Sequence, residues 1–137
     1  AELSRAQIPF SGQGMVVRSG YLQEQRDTVE AALKGLLEGI AFSLAPKNKS
    51  VVVETIARRL KLSDSAAVEE GYQDVLKNTE KRPFPNLDGL RNIQRLMKLR
   101  TASAEKIKVE EMVDDRILRR LEQSGFIDRI LETYGVK

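Results

Sequence analysis

The chain has 137 residues, 41% of them apolar and 31% charged, with 23 Lys/Arg against 20 Asp/Glu and no His, Cys or Trp. That length suits one domain with a sizeable core, and a net charge of +3 is far from the dense basic surface of a nucleic-acid binder. Without His or Cys, Ser-His and Cys-His catalysis, disulfides, thiolate chemistry and the usual zinc and copper ligands are excluded. A carboxylate pair or a Lys-based site remains, but no pair is singled out by an apolar setting that would tune its pKa, so neither an enzyme nor a cofactor is expected.

In chain order, Ile8-Pro9-Phe10 is followed by Ser11-Gly12-Gln13-Gly14 and Met15-Val16-Val17. This reads as extended chain, a glycine turn and a short strand, with Pro9 suited to an edge or crossover. No later stretch offers that strand an obvious partner. Ser11, Gly12, Gln13 and Gly14 could cradle an anion through backbone N–H groups. They lack the Lys-Ser/Thr ending of a phosphate loop and the dinucleotide fingerprint, so a plain turn is the better reading. The first residues, AELSRAQIPF, do not form a basic region followed by an apolar core, and no run approaches a membrane span.

Val29, Leu33, Leu36, Leu37, Ile40 and Leu44 recur at helical spacing, with Asp27 at the positive end and Pro46 as the stop. A second helix is expected from about Asn48 to Leu62, capped by Asn48, with Val52, Ile56 and Leu60 inward. Asn48-Lys49-Ser50 also matches a glycosylation acceptor, but a three-residue match is unspecific and the cap is preferred. Asp64 caps a third helix over about Ser65–Lys81, with Ala67, Val68, Tyr72, Val75 and Leu76 inward. Gly71 costs that helix about 1 kcal/mol relative to Ala, unless close packing requires it.

Arg82-Pro83-Phe84-Pro85 is a rigid connector. Asn86 caps a fourth helix whose Leu87, Leu90, Ile93 and Met97 share a face, with Leu96 alongside. Arg100–Lys108 reads as irregular.

The stretch VEEMVDDRILRRLEQSGFIDRILETYG then poses a choice between a carboxylate site and a helix start. One unbroken helix would put Glu110 and Asp114 inside the stripe of Val113, Ile117 and Leu121, which bare carboxylates resist. A turn at Val109–Met112, with Asp114 as N-cap and Asp115 paired to Arg119, removes the conflict. Gly125 is a candidate left-handed cap before the last face of Phe126, Ile127, Ile130, Leu131 and Tyr134. The order of acids does not match a calcium loop. The short basic clusters Arg58-Arg59-Lys61 and Lys81-Arg82 read as solvated faces rather than nucleic-acid or membrane contacts.

The expected fold is mainly α, with five to seven helices after one extended segment. Five motifs in order carry a resemblance: IPFSGQGMVVRSGYLQEQRDTVEAALKGLLEGIAF, the helix opening Gln25-Arg26-Asp27-Thr28-Val29 within it, NKSVVVETIARRLKLSDSAAVEEGYQDVL, RPFPNLDGLRNIQRLM, and the closing stretch with its acidic turn and terminal helices. Together they resemble the C-terminal portion of periplasmic substrate-binding proteins of the nitrate/sulfonate/taurine transporter type. Arg26 and Ser65 stand where that family has proline, and Gly71 where Ala is more usual.

The resemblance implies residues 1–18 as a crossover segment and 19–137 as the helical part of a type II periplasmic-binding-protein fold. It further implies capture of a small organic solute, an ABC transporter permease as partner, and a periplasmic or extracytoplasmic, membrane-associated location. It places Ser11–Gly14 near the cleft. A crossover strand without its sheet would pair edge to edge with a second copy, so a homodimer through it is expected. A stand-alone helical interaction or homodimerisation module is the alternative. Nucleic acid is not an expected partner.

Overall fold

The computed structural model describes residues 8–137, and they are mainly helical. Seven α-helices are present among them: α1 (Ser19–Glu24), α2 (Arg26–Leu44), α3 (Lys49–Leu60), α4 (Ser65–Asn78), α5 (Leu87–Lys98), α6 (Arg116–Gln123) and α7 (Phe126–Tyr134). Single 3₁₀ turns lie at Pro46–Asn48, Ala102–Lys106 and Val109–Met112.

Helix α2 is the axis. Its Val29, Leu37 and Ala41 form one buried cluster with Ile117, Leu118 and Leu121 of α6 and Ile127 and Leu131 of α7. Leu37 and Ile127 are almost wholly withdrawn from water, each worth about 1.5–3 kcal/mol of apolar burial. Helix α7 runs parallel to α2. Lys34 lies over the Phe126 ring at the start of α7, and Phe42 meets Tyr134 edge-on at its end, ring centres 6.0 Å apart. The hairpin of α3 and α4 packs beside the C-terminal half of α2 and buries Val52, Val68 and Tyr72.

Two helix starts follow the local chemistry expected of them, and one does not. The Asp64 carboxylate accepts from the Ala66 N–H at 3.0 Å, and the Asn86 side chain accepts from the Gly89 N–H at 2.9 Å. Asn48 occupies the cap position of α3, but its side chain caps nothing there. Its Nδ2 donates to the Phe42 carbonyl at 3.0 Å, because the 3₁₀ turn at Pro46 folds it back onto the end of α2. Lys61 takes the left-handed conformation that closes α3, a place usually given to glycine. Gly125 and Gly135 take it after α6 and α7, at φ 70° and 71°.

Expectations about faces fail at Leu36 of α2 and Met97 of α5, both exposed, and again in the α3–α4 hairpin. Leu60 is 63% exposed and Leu76 also faces solvent. The α3–α4 hairpin has the body on one side only, and these side chains point to the other.

The opening segment also departs from expectation. Residues 8–18 are neither helix nor strand, and neither Gly12 nor Gly14 has a positive φ, so the glycine turn does not form. Instead the chain crosses α5 at close range. A Cβ on Gly89 would sit 2.7 Å from the Ser11 nitrogen, and Asn92 Nδ2 donates to the Pro9 carbonyl at 2.9 Å. No backbone-to-backbone hydrogen bond joins residues 8–17 to anything else among the described residues.

Helix α5 stands apart. It packs on the 3₁₀ turns at Ala102–Lys106 and Val109–Met112, where Gln94 Nε2 donates to the Ala104 and Ile107 carbonyls at 2.8 and 2.6 Å. It forms no comparable packing with any other helix. The connector before it is pinned to the body. Arg82 bridges Glu122 of α6 and Asp128 of α7, both at 2.5 Å, and Phe84 packs on the core under Arg119.

Two glycines should respond oppositely to alanine. At Gly71 the new Cβ meets Ile56 Cγ2 at 3.5 Å, ordinary contact, so close packing does not require the glycine. Gly71→Ala should stabilise by about 1 kcal/mol in urea unfolding. Gly89→Ala should cost about 1–3 kcal/mol through overpacking and raise proteolytic nicking in residues 8–17, with the α2 core unchanged.

Candidate functional site

The acidic stretch resolves into separate pairs. Glu110 accepts from Arg91 at 2.6 Å, and Glu111 pairs with Lys108 at 2.8 Å. Asp114 takes the Arg116 guanidinium at 2.5 Å and also accepts from the Arg116 backbone N–H at 3.1 Å; the cap position itself falls one residue later than expected, on Asp115, and Asp114 serves the first N–H of α6 from the position before it. Asp115 pairs with Arg119 at 2.7 Å, one helical turn on.

The Arg116 hydrogen bonds hold the Asp114 carboxyl down from its ordinary 3.8 to about 2. Glu110 is lowered by a backbone hydrogen bond and by Arg91. Each carboxylate therefore has its own cation, and no group of three acidic metal ligands occurs among the described residues. The stretch starts a helix, as the face analysis expects.

Ser11, Gly12, Gln13 and Gly14 do not converge on a cavity. Ser11 is half-buried against Gly89, while Gly12, Gln13 and Gly14 are exposed, and no atom would meet a Cβ on Gly14 within 4 Å. Two open grooves lie elsewhere. One, of about 350 Å³, runs between α5 and residues 107–110 and is lined by Arg91, Arg95, Lys98 and Lys108 with Glu110. The other, of about 290 Å³, lies between Arg26, Asp114 and Arg116 beside Leu22 and Ile117. Neither has the enclosed apolar wall that holds a small ligand.

What the surface does show is uncovered faces. The outward side of α2 carries Thr28, Ala31, Ala32, Gly35, Leu36 and Gly39, all exposed and none charged, over about 16 Å of helix. The charges of α2 (Asp27, Glu30, Lys34, Glu38) lie on its flanks, so this one face is left to water without a charged group.

The chain exposes 10354 Å² for 15.4 kDa. A compact monomer of that mass exposes about 7,200 Å². The first seven residues can account for at most about 1,100 Å² of the difference. Roughly 2,000 Å² remains, the scale of a substantial interface.

Sequence reasoning did not single out Gly89 or the back of α2. The second was readable, since those six positions share one helical face without a charge. The first was not, because nothing local announces a crossing chain. No protein-family profile matches the chain, and no curated protein or solved structure gives a match.

An acid titration should isolate the Asp114 carboxylate. Its folded pKa lies below the unfolded value, so its stabilisation is full above about pH 4 and fades as pH falls through about 2. Asp114→Ala should cost about 1 kcal/mol at pH 7 and flatten the unfolding profile between pH 4 and 2.

Proposed function

We propose that this chain is the C-terminal helical portion of the solute-binding component of an ABC-type importer. Its role there is non-covalent. A small organic anion or thiamine-precursor-like solute is closed between two lobes and presented to a membrane permease. This portion supplies the helical support of one lobe rather than the ligand contacts.

The reading draws on the five ordered motifs that resemble that family. The observation that carries it is the charge-free back of α2 together with the excess surface, which fits a helix layer meant to be covered by further structure. The extended segment 8–18, with no sheet partner, fits the same picture.

A second reading, homodimerisation, is favoured by that segment itself. Its Phe10 and Val16 are exposed and its backbone makes no hydrogen bond to other backbone groups among the described residues, which suits strand addition by another copy.

The test is thermal unfolding of the natural full-length protein against a panel of small organic anions and pyrimidine precursors. A true ligand at about 100 times its Kd adds about 2.7 kcal/mol and should raise Tm by several degrees. No shift with any ligand, together with a stable dimer of this chain at micromolar concentration, would favour the second reading.

A further inference from the structure

One run of cations lacks close carboxylate partners. Residues 87–112 carry six Lys/Arg (Arg91, Arg95, Lys98, Arg100, Lys106, Lys108) and four acids (Asp88, Glu105, Glu110, Glu111). Asp88 and Glu110 pair with Arg91, and Glu111 with Lys108, which leaves Arg95, Lys98, Arg100 and Lys106 around the end of the helix.

The same stretch forms most of the α5 arm, which stands off the helical body. It also presents apolar side chains to water. Leu99 is 82% exposed, and Leu96, Met97 and Ile107 are exposed beside it. Arg95, Lys98 and Arg100 surround Leu99 by sequence and helical spacing. Arg95 and Arg100 have no carboxylate partner among the described residues, and Lys98 reaches Glu105 only at 3.8 Å.

We propose that the end of the α5 arm, centred on Leu99, docks peripherally on an anionic phospholipid surface. Protruding leucines ringed by cations enter the headgroup layer while the guanidinium and ammonium groups meet lipid phosphates. The cations around Leu99, without close carboxylate partners among the described residues, favour a surface rich in anions over an apolar protein face. No helix among the described residues is long and apolar enough to cross a membrane, so the contact is interfacial. The inference is independent of the importer reading, since it involves no solute.

The test is co-sedimentation of the 137-residue chain with vesicles of equal phosphatidylglycerol and phosphatidylcholine, and with phosphatidylcholine alone. Binding is expected to the mixed vesicles at about 50 mM salt, with release at about 0.5 M, and none to phosphatidylcholine. Lys98→Glu with Arg100→Glu should weaken it at least about tenfold, while Arg58→Glu with Arg59→Glu on α3 leaves it unchanged. Leu99→Ala should weaken vesicle binding several-fold and leave retention on a soluble polyanion such as heparin unaltered. All variants alter exposed side chains, and circular dichroism checks their helicity. No binding to mixed vesicles at low salt, equal loss with the α3 pair, or parallel loss on heparin for Leu99→Ala would overturn the proposal.

Discussion

The packing of α2 against α6 and α7 holds the molecule together, and it uses only part of α2. Leu37 and Ala41 meet Ile127 and Leu131 in a dry seam, and the polar contacts of the same helices lie at its margin. Glu30 joins Lys34 and Arg120, Tyr134 donates to Glu38, and Lys47 reaches the Thr133 carbonyl. These exposed pairs align the helices and add little energy individually. The opposite side of α2 offers water only small and apolar residues. A helix so composed is at home between two layers, and one is present.

The periphery follows from that one-sided core. The α3–α4 hairpin gains a wall from α2 but none on its other side, leaving Leu60 and Leu76 in water. The α5 arm is anchored by its connector, through Arg82 and Phe84, and then packs mainly on its own turns and on residues 9–11. Charge divides accordingly, with Arg95 and Arg100 at the end of the arm left without a carboxylate partner among the described residues and the carboxylates at 110, 111, 114 and 115 each tied to a neighbouring cation. The acidic residues that look most like a site are therefore spent on helix ends and surface pairs. The surfaces with the most to offer a partner are the apolar back of α2 and the basic tip beyond Leu96.

Where sequence reasoning succeeded, the deciding physics was local. The Asp64 and Asn86 caps need only the backbone of their own first turn. The break at Val109–Met112 follows from the cost of placing Glu110 and Asp114 inside an apolar stripe. The pair Asp115–Arg119 needs only helical spacing. Where it failed, a distant group decided. Asn48 abandons its cap because the Phe42 carbonyl is within reach. The Ser11–Gly14 turn is replaced by an extended run across α5, made possible by a glycine about 75 residues later. The short helix α1 was missed because its six residues bury none of their side chains.

The most direct test of a covered α2 is a charge placed at Leu36, measured twice. In the isolated chain Leu36→Glu faces water and should change unfolding free energy by less than about 0.5 kcal/mol. If the chain is one portion of the importer component proposed above, the same substitution in that complete protein should bury an unpaired carboxylate and cost several kcal/mol, on the order of 3 or more. Equal tolerance in both would mean that nothing covers that face, and the account of α2 as an inner helix would be wrong.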